Sequence, residues 1–217
     1  MMGVSARAGT LNCAPLPPPS RAEHRMGMPV SRESGWTVEE LHALPNDLAH
    51  RYEIVDGELL VSPAPSWLHQ RCTAELAMLL EAYAAQDTWG LVLVGPAEVV
   101  PSPRTAMQPD VFVVARPAQG LAMRWRPVDQ LLFAAEVLSP TTARHDRVQK
   151  RPAYLGMGAT YWVVDVDARV VEQWLPESVR PDVLDRTIAW QGPQAPEPLT
   201  IDLPEFFARV YRPFAAD

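Results

Sequence analysis

LLFAAEVLSPTTARHDRVQKRPAY, residues 131–154, decides how the chain reads. Its first eight residues have the length and apolar content of a buried β-strand, with one carboxylate, Glu136, set inside it. A charge there is costly to bury unless it is paired or holds a metal. A Ser-Pro turn follows, then a run carrying Arg144, His145, Asp146, Arg147, Lys150 and Arg151, and then a helix predicted to run through Tyr154 to Gly156. TYWVVDV comes next and reads as another buried strand. Strand, helix, strand in this order predicts two parallel strands.

Upstream, QPDVFVVA places Asp110 at the head of a further apolar strand. Apolar positions Leu76, Leu79, Leu80 and Tyr83 recur at helical spacing and predict a helix over 67–86, capped by Ser66 and with His69 in its first turn. RYEIVDGELLV predicts a hairpin turning at Asp56-Gly57, with Glu53 and Glu58 on its strands. Thr37 and Glu40 have the form of a capping box for a short helix ending before Pro45. LVLVG and AEVVP read as one strand broken at Gly95-Pro96 or as two short ones, PSPRTAMQP as a loop, and residues 116–127 as an irregular connection. Downstream, RVVEQWL is the expected antiparallel partner of TYWVVDV, turning at Asp167-Ala168. TIAWQ and PLTIDL are weak strands, and PEFFARVY a last short helix. The expected class is α/β (α+β), a mixed central sheet flanked by helices.

The 217 residues and 47% apolar content suit one domain with a tail. Residues 1–30 read as a disordered Pro-rich tail, with Met26 and Met28 as alternative starts. Residues 31–217 read as a single domain, its core at about 37–174 and a C-terminal extension at 175–217. A formal charge of −7 excludes a basic nucleic-acid coat, so any phosphate-binding charge must be local. Cys13 and Cys72 make neither a disulfide framework nor a four-ligand zinc site, and a cytoplasmic location is expected. No membrane association is expected: no apolar run approaches the ~18 residues that would span a bilayer, and no secretory signal is apparent.

Asp110 and Glu136, on neighbouring strands, have the oxygen chemistry to share magnesium, which would polarise a phosphodiester and position a water. Against this, Asp110 follows a proline at a strand start and Glu136 suits a buried pair with an arginine, so the two readings stand level. With Asp146 capping the helix, Lys150 lies about one turn inside, placed to orient water or neutralise developing charge. A solvated lysine is the plainer alternative. Pro152 is expected to kink that helix. His69 has the chemistry to contact phosphate or move a proton, and Glu53 or Glu58 to complete a metal shell. Singly, each reads better as a helix-start histidine or an edge-strand charge. Arg144, His145, Arg147, Lys150 and Arg151, with Arg124 and Arg126, make either a local phosphate surface or a solvated face.

Together, RYEIVDGELLVSPAPSWLHQR, QPDVFVV, AAEVLSPTTARHDRVQK and ATYWVVDVDARVVEQW, in this order, resemble the Uma-two family assigned as restriction endonucleases, within the PD-(D/E)XK nuclease superfamily. The resemblance runs over residues 37–174. It implies a restriction-endonuclease-like fold, with Asp110 as the PD aspartate and Glu136 as the D/E acid. The superfamily lysine two residues after that acid is Leu138 here. The family's use of the following helix maps it onto Lys150. Glu58 and His69 match recurrent positions near the site, and the backbone carbonyl of Val137 is a further implied metal ligand. The implied activity is magnesium- or manganese-dependent hydrolysis of DNA phosphodiester bonds. The rival expectation is a nuclease-fold binding or regulatory module with little or no cleavage, for which a homodimer is one form. A third is a nuclease of RNA or branched nucleic acid.

Overall fold

In the computed structural model of the chain, the described residues are 34–45, 49–85, 89–116 and 130–214. The expected N-terminal tail, and Arg124 and Arg126, lie outside them. A short helix α1 (Val38–His42) opens the described chain, and the Thr37 and Glu40 side chains cap it reciprocally. The hairpin β1 (His50–Val55) and β2 (Glu58–Pro63) follows, and Ser66 then caps the 18-residue helix α2 (Trp67–Ala84) by accepting the His69 N–H. Next come β3 (Gly90–Val94), β4 (Val99–Ser102), β5 (Thr105–Met107), β6 (Val111–Ala115) and β7 (Leu131–Val137). A π-helical turn (His145–Lys150) runs into α3 (Arg151–Gly156). The chain ends with β8 (Thr160–Asp165), β9 (Val170–Trp174), β10 (Asp182–Leu184), β11 (Thr187–Trp190), β12 (Leu199–Asp202), α4 (Leu203–Tyr211) and a last 3-10 turn.

The central sheet has six strands in the order β10-β9-β8-β7-β6-β3. Only β7 and β8 are parallel, as the strand–helix–strand pattern requires; the other neighbours are antiparallel. A second sheet, β2-β1-β5-β4, and a β11-β12 pair complete the strands. The strand expected in AEVVP is β4, and the stretch read as a loop, PSPRTAMQP, holds its last two residues, the turn and β5, which pairs with β1. Three residues are too few to show alternation. Pro101 is tolerated because β4 is an edge strand. Gly95 and Pro96 separate two strands that belong to different sheets.

Alternation along the central strands sorts two cores. Val111, Val113, Phe133, Ala135, Trp162 and Val164 face α2 and α4, meeting Cys72, Leu76, Leu80, Phe206 and Phe207. Phe112, Ala134, Tyr161 and Val163 face Tyr154 of α3. Each such buried side chain contributes roughly 1.5–3 kcal/mol. Glu136 lies two residues beyond Ala134, so it shares the α3 face. Among the described residues, no helix is long and apolar enough to cross a membrane.

The β1–β2 turn uses left-handed backbone at Asp56 (φ 51) and Gly57 (φ 83), as a tight Asp-Gly hairpin demands. A Cβ on Gly57 would collide with the Arg104 guanidinium, whereas one on Gly158 (φ 78) meets nothing within 4 Å. Gly158→Ala should therefore cost only the backbone term of about 1–2 kcal/mol. Gly57→Ala should cost about the same in chemical denaturation, because Arg104 is exposed and its guanidinium, the far end of a flexible side chain, can swing aside. A markedly larger loss at Gly57 would contradict this.

Candidate functional site

The site forms where β1, β6, β7 and the π-helical turn converge. Lys150 is its centre. The ammonium lies 2.9 Å from Glu53, 3.0 Å from Glu136 and 3.1 Å from Asp146, in ion-pair contact with all three. Each of these four side chains is only 1–2% exposed. Tyr154 Oη donates to the same Glu136 oxygen at 2.8 Å, and Tyr161 Oη donates to the Asp146 backbone carbonyl at 3.0 Å.

A local departure from regular helix delivers Lys150. Asp146 does not cap a helix, as expected from sequence. It lies within the π-helical turn, four residues before Lys150, and reaches the ammonium directly. Pro152 lies inside one continuous helical run, in the first turn of α3, and the irregularity expected there takes the form of the π-helical turn just before it. Its ring would otherwise press on the carbonyl four residues back. The widened turn immediately before it relieves that conflict, and π-turns of this kind recur at functional sites.

Asp110 anchors a second, adjoining group. The register Val111↔Ala135 brings it opposite Glu136 at the next step. Its Oδ1 accepts from Arg51 at 3.0 Å. Its Oδ2 accepts from the Val137 N–H at 2.8 Å and lies 3.1 Å from His69 Nε2. Thus the Val137 group that the structure brings to Asp110 is its N–H. Glu53 accepts the Gln108 N–H at 2.7 Å, and Arg51 lies 3.7 Å from it. Glu58 sits one step further out, half-buried, accepting from Gln149 Nε2 at 2.6 Å.

The electrostatics follow from counting. Three buried carboxylates surround one ammonium, so burial together with the neighbouring acids raises the Glu136 carboxyl well above its usual range despite Lys150. Burial likewise raises Asp146. Burial opposes charge on Lys150, but Glu136, Glu53 and Asp146 hold its proton far more firmly than usual. Burial would also raise Glu53 and Asp110. Lys150 and Arg51 outweigh it at Glu53, while His69, Arg51 and the Val137 N–H outweigh it at Asp110, so both titrate below the usual carboxylate range.

The basic run does not gather into one surface. Lys150 is buried, Arg147 pairs with Glu172 at 2.6 Å and Asp165 at 3.1 Å, and Arg151 lies over the Trp174 ring. Of the residues singled out from sequence, Asp110, Glu136, Lys150 and His69 come together, with Glu58 attached through Gln149. Arg51, Glu53 and Asp146 are at the centre as well. Sequence reading does not single out Arg51, takes Glu53 as an edge-strand charge or a completing metal ligand, and takes Asp146 as a cap. A usable signal for the first two was their i, i+2 spacing, which puts both on one face of β1.

An acid heading one central strand, an acid inside its neighbour and a lysine from the following helical segment, on a mixed sheet flanked by helices, define the PD-(D/E)XK-like nuclease class. Within it, the chain belongs to the Uma2 family, described as "Putative restriction endonuclease", whose model matches residues 38–204. A solved structure, a "putative nuclease belonging to DUF820 from Anabaena variabilis ATCC 29413", superposes with a TM-score of 0.66 over 81% of this chain and 99% of that one. At 19% identity the likeness bears on the fold. No curated protein matches the chain.

A raised carboxyl binds more protons folded than unfolded, so stability falls as pH climbs above its unfolded value near 4.5. Glu136→Gln should therefore lie closest to the wild type below pH 4.5 and gain on it as pH rises, by urea denaturation in EDTA. Lys150→Met, which leaves the acids unpaired, should lose about 3–5 kcal/mol at neutral pH. A Glu136→Gln profile parallel to wild type would contradict the shared-proton assignment.

Proposed function

We propose that this chain is a nucleic-acid-binding module on the nuclease fold, with cleavage weak or absent while the acids are closed on Lys150. The carrying observation is that Glu53, Glu136 and Asp146 all turn to one internal ammonium, and both oxygens of Asp110 are taken by Arg51, His69 and Val137. Among the described residues, no group of three His, Cys, Asp or Glu side chains is arranged to hold an ion. The binding half of the reading rests on family membership and on Arg51, whose partly exposed guanidinium lies at the junction of two surface cavities.

A second reading, a magnesium- or manganese-dependent DNA endonuclease, is favoured by the chemistry of the donors. They are hard carboxylate oxygens in excess over the cations beside them, which suits such an ion. Asp110, Glu136 and the Val137 carbonyl would hold it, with Glu53 as a further oxygen donor. The ion would supply Lewis-acid polarisation of a phosphodiester and a more acidic bound water. On this reading Lys150 leaves the acids to neutralise charge developing on the phosphate, Arg51 holds that phosphate, and His69 keeps Asp110 oriented.

Calorimetric titration of magnesium and manganese into the wild type and Glu136→Ala, with plasmid nicking assayed on both, separates the two. The first reading expects DNA to bind in EDTA, with nicking no faster in the wild type than in Glu136→Ala. Metal uptake and nicking that both vanish in Glu136→Ala would replace it with the second. Lys150→Ala should then lose cutting with little loss of metal.

A further inference from the structure

Two cavities meet at Arg51 and His69. The first, about 490 Å³, is walled by Leu44, Pro45, Pro65, Pro96 and Tyr52, with Glu98 and Gln108 offering polar atoms. That volume is in the range that encloses a small organic ring system. The second, about 400 Å³, is lined by Ser62, Ser66, Ser139, Thr141 and Thr142, together with Asp165 and Asp167. Arg147 also lines it, its guanidinium held by Asp165 and Glu172 as that of Arg51 is held by Asp110, but it does not reach the first cavity. Trp67 is 84% exposed and lies in sequence between Ser66 and Leu68, both of which line the second cavity. An indole that is almost wholly in water gains nothing for the fold.

These features fit one ligand chemistry. Among the described residues, Arg51 is the cation that opens onto both cavities, and the whole chain is acidic. Binding here cannot be driven by neutralising a long row of phosphates, as a duplex backbone would require. It must draw on the bases. A base within a duplex cannot enter a walled cavity without leaving the stack, whereas an unpaired base is free to enter one and to lie on an exposed aromatic face.

We infer that, within the nucleic-acid-binding reading on which this rests, the ligand is a single strand or other nucleic acid with unpaired bases. One base enters the first cavity, its phosphate lies on Arg51, the sugar-phosphate chain crosses the hydroxyls of the second, and a neighbouring base stacks on Trp67. The assignment adds Trp67 and Gln70 to the binding surface. Gln70 is exposed on α2 and lines the first cavity.

The test is fluorescence anisotropy in EDTA, where cleavage plays no part. The probes are a labelled 12-nucleotide strand, the same sequence as a duplex, and a strand of equal length built only of abasic sugar-phosphate units. The base-bearing strand should bind at least tenfold tighter than either, with a log–log salt slope of about −1, one or two phosphates' worth. Trp67→Ala and Gln70→Trp, both at exposed positions, should each weaken the strand about tenfold. Equal affinity for strand and duplex, for strand and abasic chain, or for wild type and both variants would overturn the inference. Binding of the duplex alone would remove the inference and leave the nucleic-acid-binding reading standing; binding of no probe would remove both.

Discussion

One buried ammonium holds the centre of this protein. Lys150 lies within 3.1 Å of three carboxylates contributed by β1, β7 and the π-helical turn, and none of the four side chains is appreciably exposed. Buried charges survive only when they are compensated. Here one positive charge faces three groups that would each be negative in water. The imbalance, with burial, raises the Glu136 and Asp146 carboxyls above their usual range. The same imbalance favours a proton among the buried acids. Stability and any chemistry are therefore set by one electrostatic balance.

The architecture around the cluster exists to bring distant residues to this point. The parallel β7–β8 pair carries Glu136 to the end of the sheet, and the crossover between them returns Lys150 to the strand it left. The extra residue in the π-helical turn reconciles two demands, Lys150 pointing inward and Pro152 following two residues later. Asp110 is pinned across the strand end by the Val137 N–H, and Arg51 joins the Asp110 group to the Glu53 group. The second sheet contributes both Arg51 and Glu53, so it is part of the site.

Much of this was readable in advance. Glu136 stood out as one charge in an apolar strand, Asp110 as an acid at a strand head, and α2 by its apolar spacing; the parallel β7–β8 pairing followed from strand order. What escaped reading depended on tertiary pairing. Arg51 and Glu53 alternate on a hairpin that looks solvated until β5 covers it, and β5 itself is a three-residue strand hidden in a proline-rich stretch. Asp146 looked like a cap because a π-turn leaves no pattern in sequence. The basic run dispersed because Asp165, Glu172 and Trp174, its partners on β8 and β9, are fixed only by the β8–β9 register.

The central claim is that burial and the neighbouring acids raise the Glu136 carboxyl well above its usual range, while Lys150 and Arg51 bring Glu53 below it. Carbon-13 NMR of side-chain carboxyls in glutamate-labelled protein, titrated in EDTA and assigned with Glu136→Gln, measures this directly. The account predicts that the Glu136 carboxyl titrates well above the usual carboxylate range while Glu53 ionises below it. A Glu136 resonance that titrates near 4.5 would contradict it.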